Sequence, residues 1–183
     1  MEETMFSRKN ALLLVIDIQE HLLPHIHDSS HLVKNAFILI ESCKILNMPV
    51  IVTEQYPEGI GPTAATLAPA LDQCPKISKR TFSCCREPLF MKALKATGRN
   101  QVIITGTETH VCVFQTAAGL LKNGYAVQVV ADAVGSRTPL NKEIGLDRMR
   151  VLGIEITSVE SSVFELLETS ACPEFKQILR LIK

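Results

Sequence analysis

The chain has 183 residues, 46% of them hydrophobic and 21% charged, so it can bury a sizeable core within the size range of one domain. Nineteen basic residues balance nineteen acidic ones, which leaves no net charge for a sequence-independent hold on nucleic acid or on an anionic membrane surface. No apolar run approaches the roughly 20 residues of a spanning helix; the expectation is a single soluble domain over residues 1–183.

The N-terminal segment MEETMFSRKN opens with two glutamates and has neither a secretory apolar stretch nor the Arg-rich, acid-poor character of a transit peptide. A cytoplasmic location is expected, with a mitochondrial one left open. The first strand is predicted at ALLLVID, 11–17. Residues 30–47 then place apolar side chains at Leu32, Ala36, Phe37, Ile40, Cys43 and Leu46, a helical period that ends before Pro49. VIVTE at 50–54 reads as a second strand. The glycine- and proline-containing stretch 58–73 reads as a loop with a short helix, and KISK at 76–79 as a weak third strand. PLFMKALKAT at 88–97 is a helix stopped by Gly98, QVIITG at 101–106 a fourth strand, and 110–123 a helix stopped by Gly124. AVQVVAD at 126–132 is a fifth strand. Thr138 as N-cap, Pro139 at the first helical position and Gly153 past the end bound another helix, and IEITSV at 154–159 is a last strand.

Runs that are apolar on both faces, alternating with amphipathic helices, define a doubly wound three-layer α-β-α domain, Rossmann-like, with a mostly parallel sheet. Ligands of such sheets sit outside the carboxyl ends of the strands, where strand order reverses. Asp17 closes the first strand run, Lys79 the third, and Cys112 lies six residues past Gly106. If the first and fourth strands flank the reversal, Asp17 and Cys112 meet there. Thr109 as N-cap would set Cys112 in the first turn of a helix, where free N–H groups favour an anion. The Lys79 ammonium would lower the thiol pKa further, while Asp17 could accept the thiol proton and later return it to a leaving amine.

These residues sit in segments that resemble the isochorismatase-like cysteine hydrolases: VIDIQ at 15–19, VTEQYPEGIGPT at 52–63, KRTFS at 79–83, GTETHVCV at 106–113, VVADAVGSR at 129–137 and RMRVLG at 148–153. The T-E-Q-Y-P segment is similar to that of the isochorismatase domain-containing proteins. The resemblance implies the isochorismatase-like hydrolase fold, with Cys112 as nucleophile, Asp17 as acid/base and Lys79 as the third catalytic member. It also implies a non-proline cis peptide from Thr107 to Glu108, and an oxyanion hole made by the Glu108 and Cys112 amides. Metal-dependent nicotinamidases of the superfamily carry an Asp-x-His motif where this chain reads EQYP, so neither metal nor cofactor is expected. The implied chemistry is metal-independent hydrolysis of an amide or ureide-like C–N bond of a small molecule through a thioester. Relatives imply a homo-oligomer, a dimer or a tetramer. A catalytically silent binding or scaffold protein is the alternative. A nucleotide- or flavin-binding protein fits poorly, because DIQEHLLPHI lacks the glycine-rich turn.

Gln19, Gln55 and Tyr56 fall on the correct sheet edge to touch substrate, although ordinary loop polarity explains them equally well. Phe82 and Phe114 are candidates for an apolar pocket wall, with core packing the commoner role of such residues. Six cysteines, at 43, 74, 84, 85, 112 and 172, form no C-x-x-C pair and read as reduced thiols, Cys43 and Cys172 as small buried hydrophobes and Cys84 and Cys85 as packing, with lining of the pocket the other reading of that pair. His21, His25, His27 and His31 read as a solvated loop, because Pro24 breaks any ligand-bearing helical spacing. His110 is expected to face a pocket or an interface.

Overall fold

The computed structural model describes residues 5–183; the first four residues, part of the segment read for targeting, lie outside the described residues. Six strands form one sheet in the order β3-β2-β1-β4-β5-β6, all parallel where a mostly parallel sheet was expected. They are β1 (Ala11–Ile16), β2 (Val50–Gln55), β3 (Lys76–Lys79), β4 (Gln101–Thr107), β5 (Ala126–Gly135) and β6 (Glu155–Thr157). The helices are α1 (Ser29–Ile45), α2 (Pro57–Ile60), α3 (Pro88–Ala96), α4 (Phe114–Lys122), α5 (Pro139–Val151), α6 (Val159–Leu167) and α7 (Phe175–Ile182). None is long and apolar enough, among the described residues, to cross a membrane.

The strands are Val-, Ile- and Leu-rich because both faces are covered. Successive residues of β1 point to opposite faces: Leu13 and Val15 enter one core with Leu39 of α1, Val163 of α6 and Ile178 of α7. Leu12, Leu14 and Ile16 enter the other, with Phe90 and Leu94 of α3, Leu120 of α4 and Met149 of α5. Each such fully buried side chain contributes on the order of 1.5–3 kcal/mol. Strand order reverses between β1 and β4, which meets the condition under which Asp17 and Cys112 come together. There Ile16 lies beside Thr53 on one side and Gly106 on the other. Gly106 has φ +128, and a Cβ on it would stand 2.0 Å from the Ile16 carbonyl oxygen, so only glycine lets the two strand ends approach.

Thr138 caps α5 as expected, its hydroxyl accepting from Asn141 N–H at 3.2 Å. Three local readings are corrected. The last strand stops at Thr157, because the Ser158 hydroxyl accepts from Ser161 N–H and starts α6 at the β-branched residue that had extended the strand reading. The helix expected over 110–123 opens as a π-helical turn, Thr109–Val113, before α4. Its N-cap is Glu108, whose carbonyl accepts from Val113 N–H at 3.2 Å. Thr109 therefore lies inside the turn, and its buried hydroxyl has no partner among the described residues.

Candidate active site

Asp17 leaves β1 with φ 50, a left-handed conformation that aspartate tolerates better than most side chains. Two bonds hold it there: its N–H donates to Thr53 O at 3.1 Å, and its carbonyl accepts from the Thr107 hydroxyl at 2.6 Å. The carboxylate is 1% exposed; Oδ1 accepts from the Thr53 hydroxyl at 2.7 Å and Oδ2 from Lys79 Nζ at 2.6 Å. Lys79 ends β3 on its buried face and reaches beneath β2 to this point. Its Nζ lies 3.8 Å from Cys112 Sγ, so the ammonium bridges carboxylate and sulfur. Cys112 is carried by the π-helical turn that follows a cis peptide between Thr107 and Glu108.

Burial alone draws the Lys79 ammonium down, but the charges of Asp17, Cys84 and Cys112 and the hydrogen bond to Asp17 hold it above the usual lysine value. The Cys112 thiol was expected to be lowered by its helix turn and by Lys79. Burial instead pushes it well above the usual thiol range, Asp17 adds to that, and Lys79 opposes it. The resting group is thus a thiol beside a carboxylate.

The structure brings Asp17, Lys79 and Cys112 together and places the other candidates differently. Gln19 is fully buried and saturated: Nε2 donates to Gln55 O at 3.0 Å and Gly61 O at 2.6 Å, and Oε1 accepts from Gln55 N–H at 2.7 Å. It staples the loops after β1 and β2, with its side-chain amide enclosed among them. Gln55 turns its side chain inward, Oε1 accepting from Lys79 Nζ at 2.7 Å. Tyr56 stays on the rim, 38% exposed, with the Arg80 guanidinium 3.5 Å above its ring. Phe82 is 55% exposed, so core packing does not hold for it; Phe114 is half-buried under the Arg148 guanidinium at 3.8 Å. Cys172 is only partly buried, while Cys43 is fully enclosed. His27 lies in an exposed turn, as the solvated-loop reading expects, whereas His31 belongs to α1 and contacts Asn35; both line a cleft of about 480 Å³ whose walls do not include Cys112. His110 Nδ1 meets Ser136 Oγ at 3.0 Å. Glu108 pairs with Arg137 at 3.0 Å.

Sequence reasoning missed Thr53 and the Thr107 hydroxyl, while Cys84, read as packing, is in the core beside the cluster. Thr53, within β2, and Thr107, at the end of β4, lie on the two strands that flank β1 and so stand beside Asp17, a signal available once strand order is known. Cys84 is fully buried, with its sulfur 3.9 Å from Thr53 Oγ1; burial and Asp17 push its thiol up to about 12.

A doubly wound parallel sheet with a buried Asp–Lys–Cys cluster at its switch point places the chain among the three-layer α/β proteins. Residues 11–161 match the Isochorismatase domain, and the chain belongs to the isochorismatase family. Isochorismatase domain-containing protein 2 of Danio rerio is 37% identical over 177 residues, 96% of this chain and 88% of that protein. The structure of the MAR1 ribonuclease of Caenorhabditis elegans superposes with a TM-score of 0.93 at 36% identity, covering 98% of this chain and 92% of that one. YcaC of Escherichia coli, described as an octameric hydrolase of unknown specificity, gives 0.88 at 25% identity over 98% and 97%. Family membership supports a hydrolase-type function.

Proposed function

We propose that this protein is a cysteine amidohydrolase acting on a C–N bond of a small amide or ureide-like molecule. The observation that carries the reading is the buried line from Asp17 Oδ2 through Lys79 Nζ, at 2.6 and 3.8 Å, to Cys112 Sγ. Asp17 takes the thiol proton as sulfur attacks the carbonyl carbon, and Lys79 stabilises the negative charge on sulfur. The backbone N–H groups of Glu108 and Cys112 serve as donors to the oxyanion. Collapse breaks the C–N bond, and Asp17 returns its proton to the departing amine. Water then gives a proton to Asp17 and its oxygen to the thioester carbon; the C–S bond breaks and the sulfur regains a proton. Every step uses groups of this chain.

The chain is also read as a homo-oligomer, a reading supported by the octameric relative and by Leu140, Ile144 and Val151, exposed along α5; light scattering that returns a monomer mass would end it. Three structural relatives bear a ribonuclease name, but zero net charge and a buried site favour a small neutral substrate here.

The test is a panel of amides, ureides and a short RNA, read by amine release, carboxylate release and RNA cleavage, with trapping of an acyl-enzyme by mass spectrometry. The expected result is turnover of an amide or ureide with added mass on Cys112, both lost in Cys112→Ala. RNA cleavage, or turnover that survives Cys112→Ala, overturns the proposal. An inert wild-type protein that nevertheless binds one of the compounds favours the silent binding protein.

A further inference from the structure

Lys79 carries three N–H donors, and four acceptors surround them: Asp17 Oδ2 at 2.6 Å, Gln55 Oε1 at 2.7 Å, Thr81 O at 3.3 Å and Cys112 Sγ at 3.8 Å. The two short contacts occupy two protons. The third is left between the Thr81 carbonyl and the sulfur, so whichever group holds the second proton decides where the third one points. That group is the amide of Gln55.

The amide is itself fixed. Gln55 Nε2 donates to Arg80 O at 3.0 Å, which leaves Oε1 for the ammonium; the opposite flip would set an NH₂ against Lys79 and a carbonyl against a carbonyl. Its backbone is gripped by Gln19 at both N–H and C=O, and Gln19 is anchored on Gly61. Strand register places Gln55 directly beside Lys79, and Tyr56 N–H donates to Lys79 O at 3.0 Å. A rigid chain thus runs from Gly61 through Gln19 and Gln55 to the nucleophile's cation.

We infer that Gln55 is a positioning residue that aims the Lys79 ammonium at Cys112, and that its neutrality matters as much as its geometry. A neutral carbonyl takes one proton of the ammonium without drawing its charge away from the sulfur. A carboxylate at the same place would add a second anion to a site that already holds Asp17, and would hold the thiol in its protonated form. Gln55 therefore acts through Lys79 and not on substrate. The inference rests on the cysteine-nucleophile reading.

The experiment follows the rate of Cys112 alkylation by iodoacetamide against pH, by mass spectrometry of the intact full chain. Wild type is compared with Gln55→Glu and Gln55→Leu, Cys74 serves as internal control, and melting temperatures are recorded in parallel. When a thiol pKa lies above the working pH, each unit of upward shift slows alkylation about tenfold. Gln55→Glu keeps the acceptor towards Lys79 but adds charge and gives up the bond to Arg80 O, so it is expected to slow Cys112 about tenfold or more near pH 8, beyond whatever the melting temperature loses. Gln55→Leu is expected to slow it severalfold and to melt lower. A structural role alone would lower both melting temperatures without moving the Cys112 profile of Gln55→Glu. An unchanged profile in folded Gln55→Glu overturns the inference. A wild-type Cys112 that does not respond to pH, or to loss of Lys79, would instead overturn the nucleophile reading on which it rests.

Discussion

Replacing Lys79 by methionine tests the site through stability, with no substrate required. The two side chains are 0% and 1% exposed and 2.6 Å apart, so the substitution leaves a carboxylate buried without its cation. Breaking a buried pair from one side costs about 3–5 kcal/mol. The Thr53 hydroxyl still donates to Asp17 at 2.7 Å, which favours the lower end, about 3 kcal/mol. In a chain of this size each kcal/mol moves the melting temperature by about 2–4 °C, so Lys79→Met is expected to melt some 6–12 °C lower. The ammonium also sits 3.8 Å from Cys112 Sγ, and at an effective dielectric of about 20 that charge is worth about 4 kcal/mol to a thiolate. Alkylation of Cys112 should accordingly slow by two to three orders of magnitude. Adding Asp17→Asn removes the stranded charge, so the double variant should recover most of the lost stability, a coupling that differential scanning calorimetry of the four-member cycle measures directly. A single variant that melts within a degree or two of wild type, or a double variant with no recovery, refutes the buried-pair reasoning.

Asp17→Asn removes the base that takes the thiol proton, so hydrolysis should fall by about 10²–10⁴; turnover within about tenfold of wild type would contradict the acid/base role. Cys43 is pushed up to about 12 by burial, above its value in the unfolded chain. Its contribution is therefore fully present below about pH 8.5 and is lost as pH rises from there towards the folded value, at about 1.4 kcal/mol per pH unit. Urea titrations should show Cys43→Ala less stable at neutral pH but declining less between about pH 9 and pH 11, by about 2–3 kcal/mol; a slope equal to wild type would dismiss the assignment. Gly106→Ala places a methyl group 2.0 Å from the Ile16 carbonyl and should yield insoluble protein or lose more than about 4 kcal/mol. A soluble variant with a near-native melting curve would show that β1 and β4 can separate at the switch point.

Much of the architecture was open to reading in the amino-acid order alone. Strand runs apolar on both faces, glycines past helix ends and Thr138–Pro139 at a helix start are local signals, and local signals suffice for alternation of strand and helix, hence for a doubly wound sheet. Asp17, Lys79 and Cys112 could be nominated because each closes or follows a strand, and the surrounding segments carried the family resemblance. Other features depend on neighbours remote in sequence. Gln19 and Gln55 look like loop polarity until the register of β2 against β3 sets Gln55 beside Lys79. The Cys112 thiol was expected low from its helix turn and its lysine, yet it is high, because burial and the carboxylate of Asp17, 95 positions earlier, outweigh both. The turn at Thr109 is π-helical, with its cap at Glu108, which no pattern of residue types announced. Sequence determines which elements form and which side chains are chemically capable. Only the packed sheet, by bringing four strand ends within hydrogen-bonding distance and excluding water from them, decides which of those side chains share a proton and which merely hold the others in place.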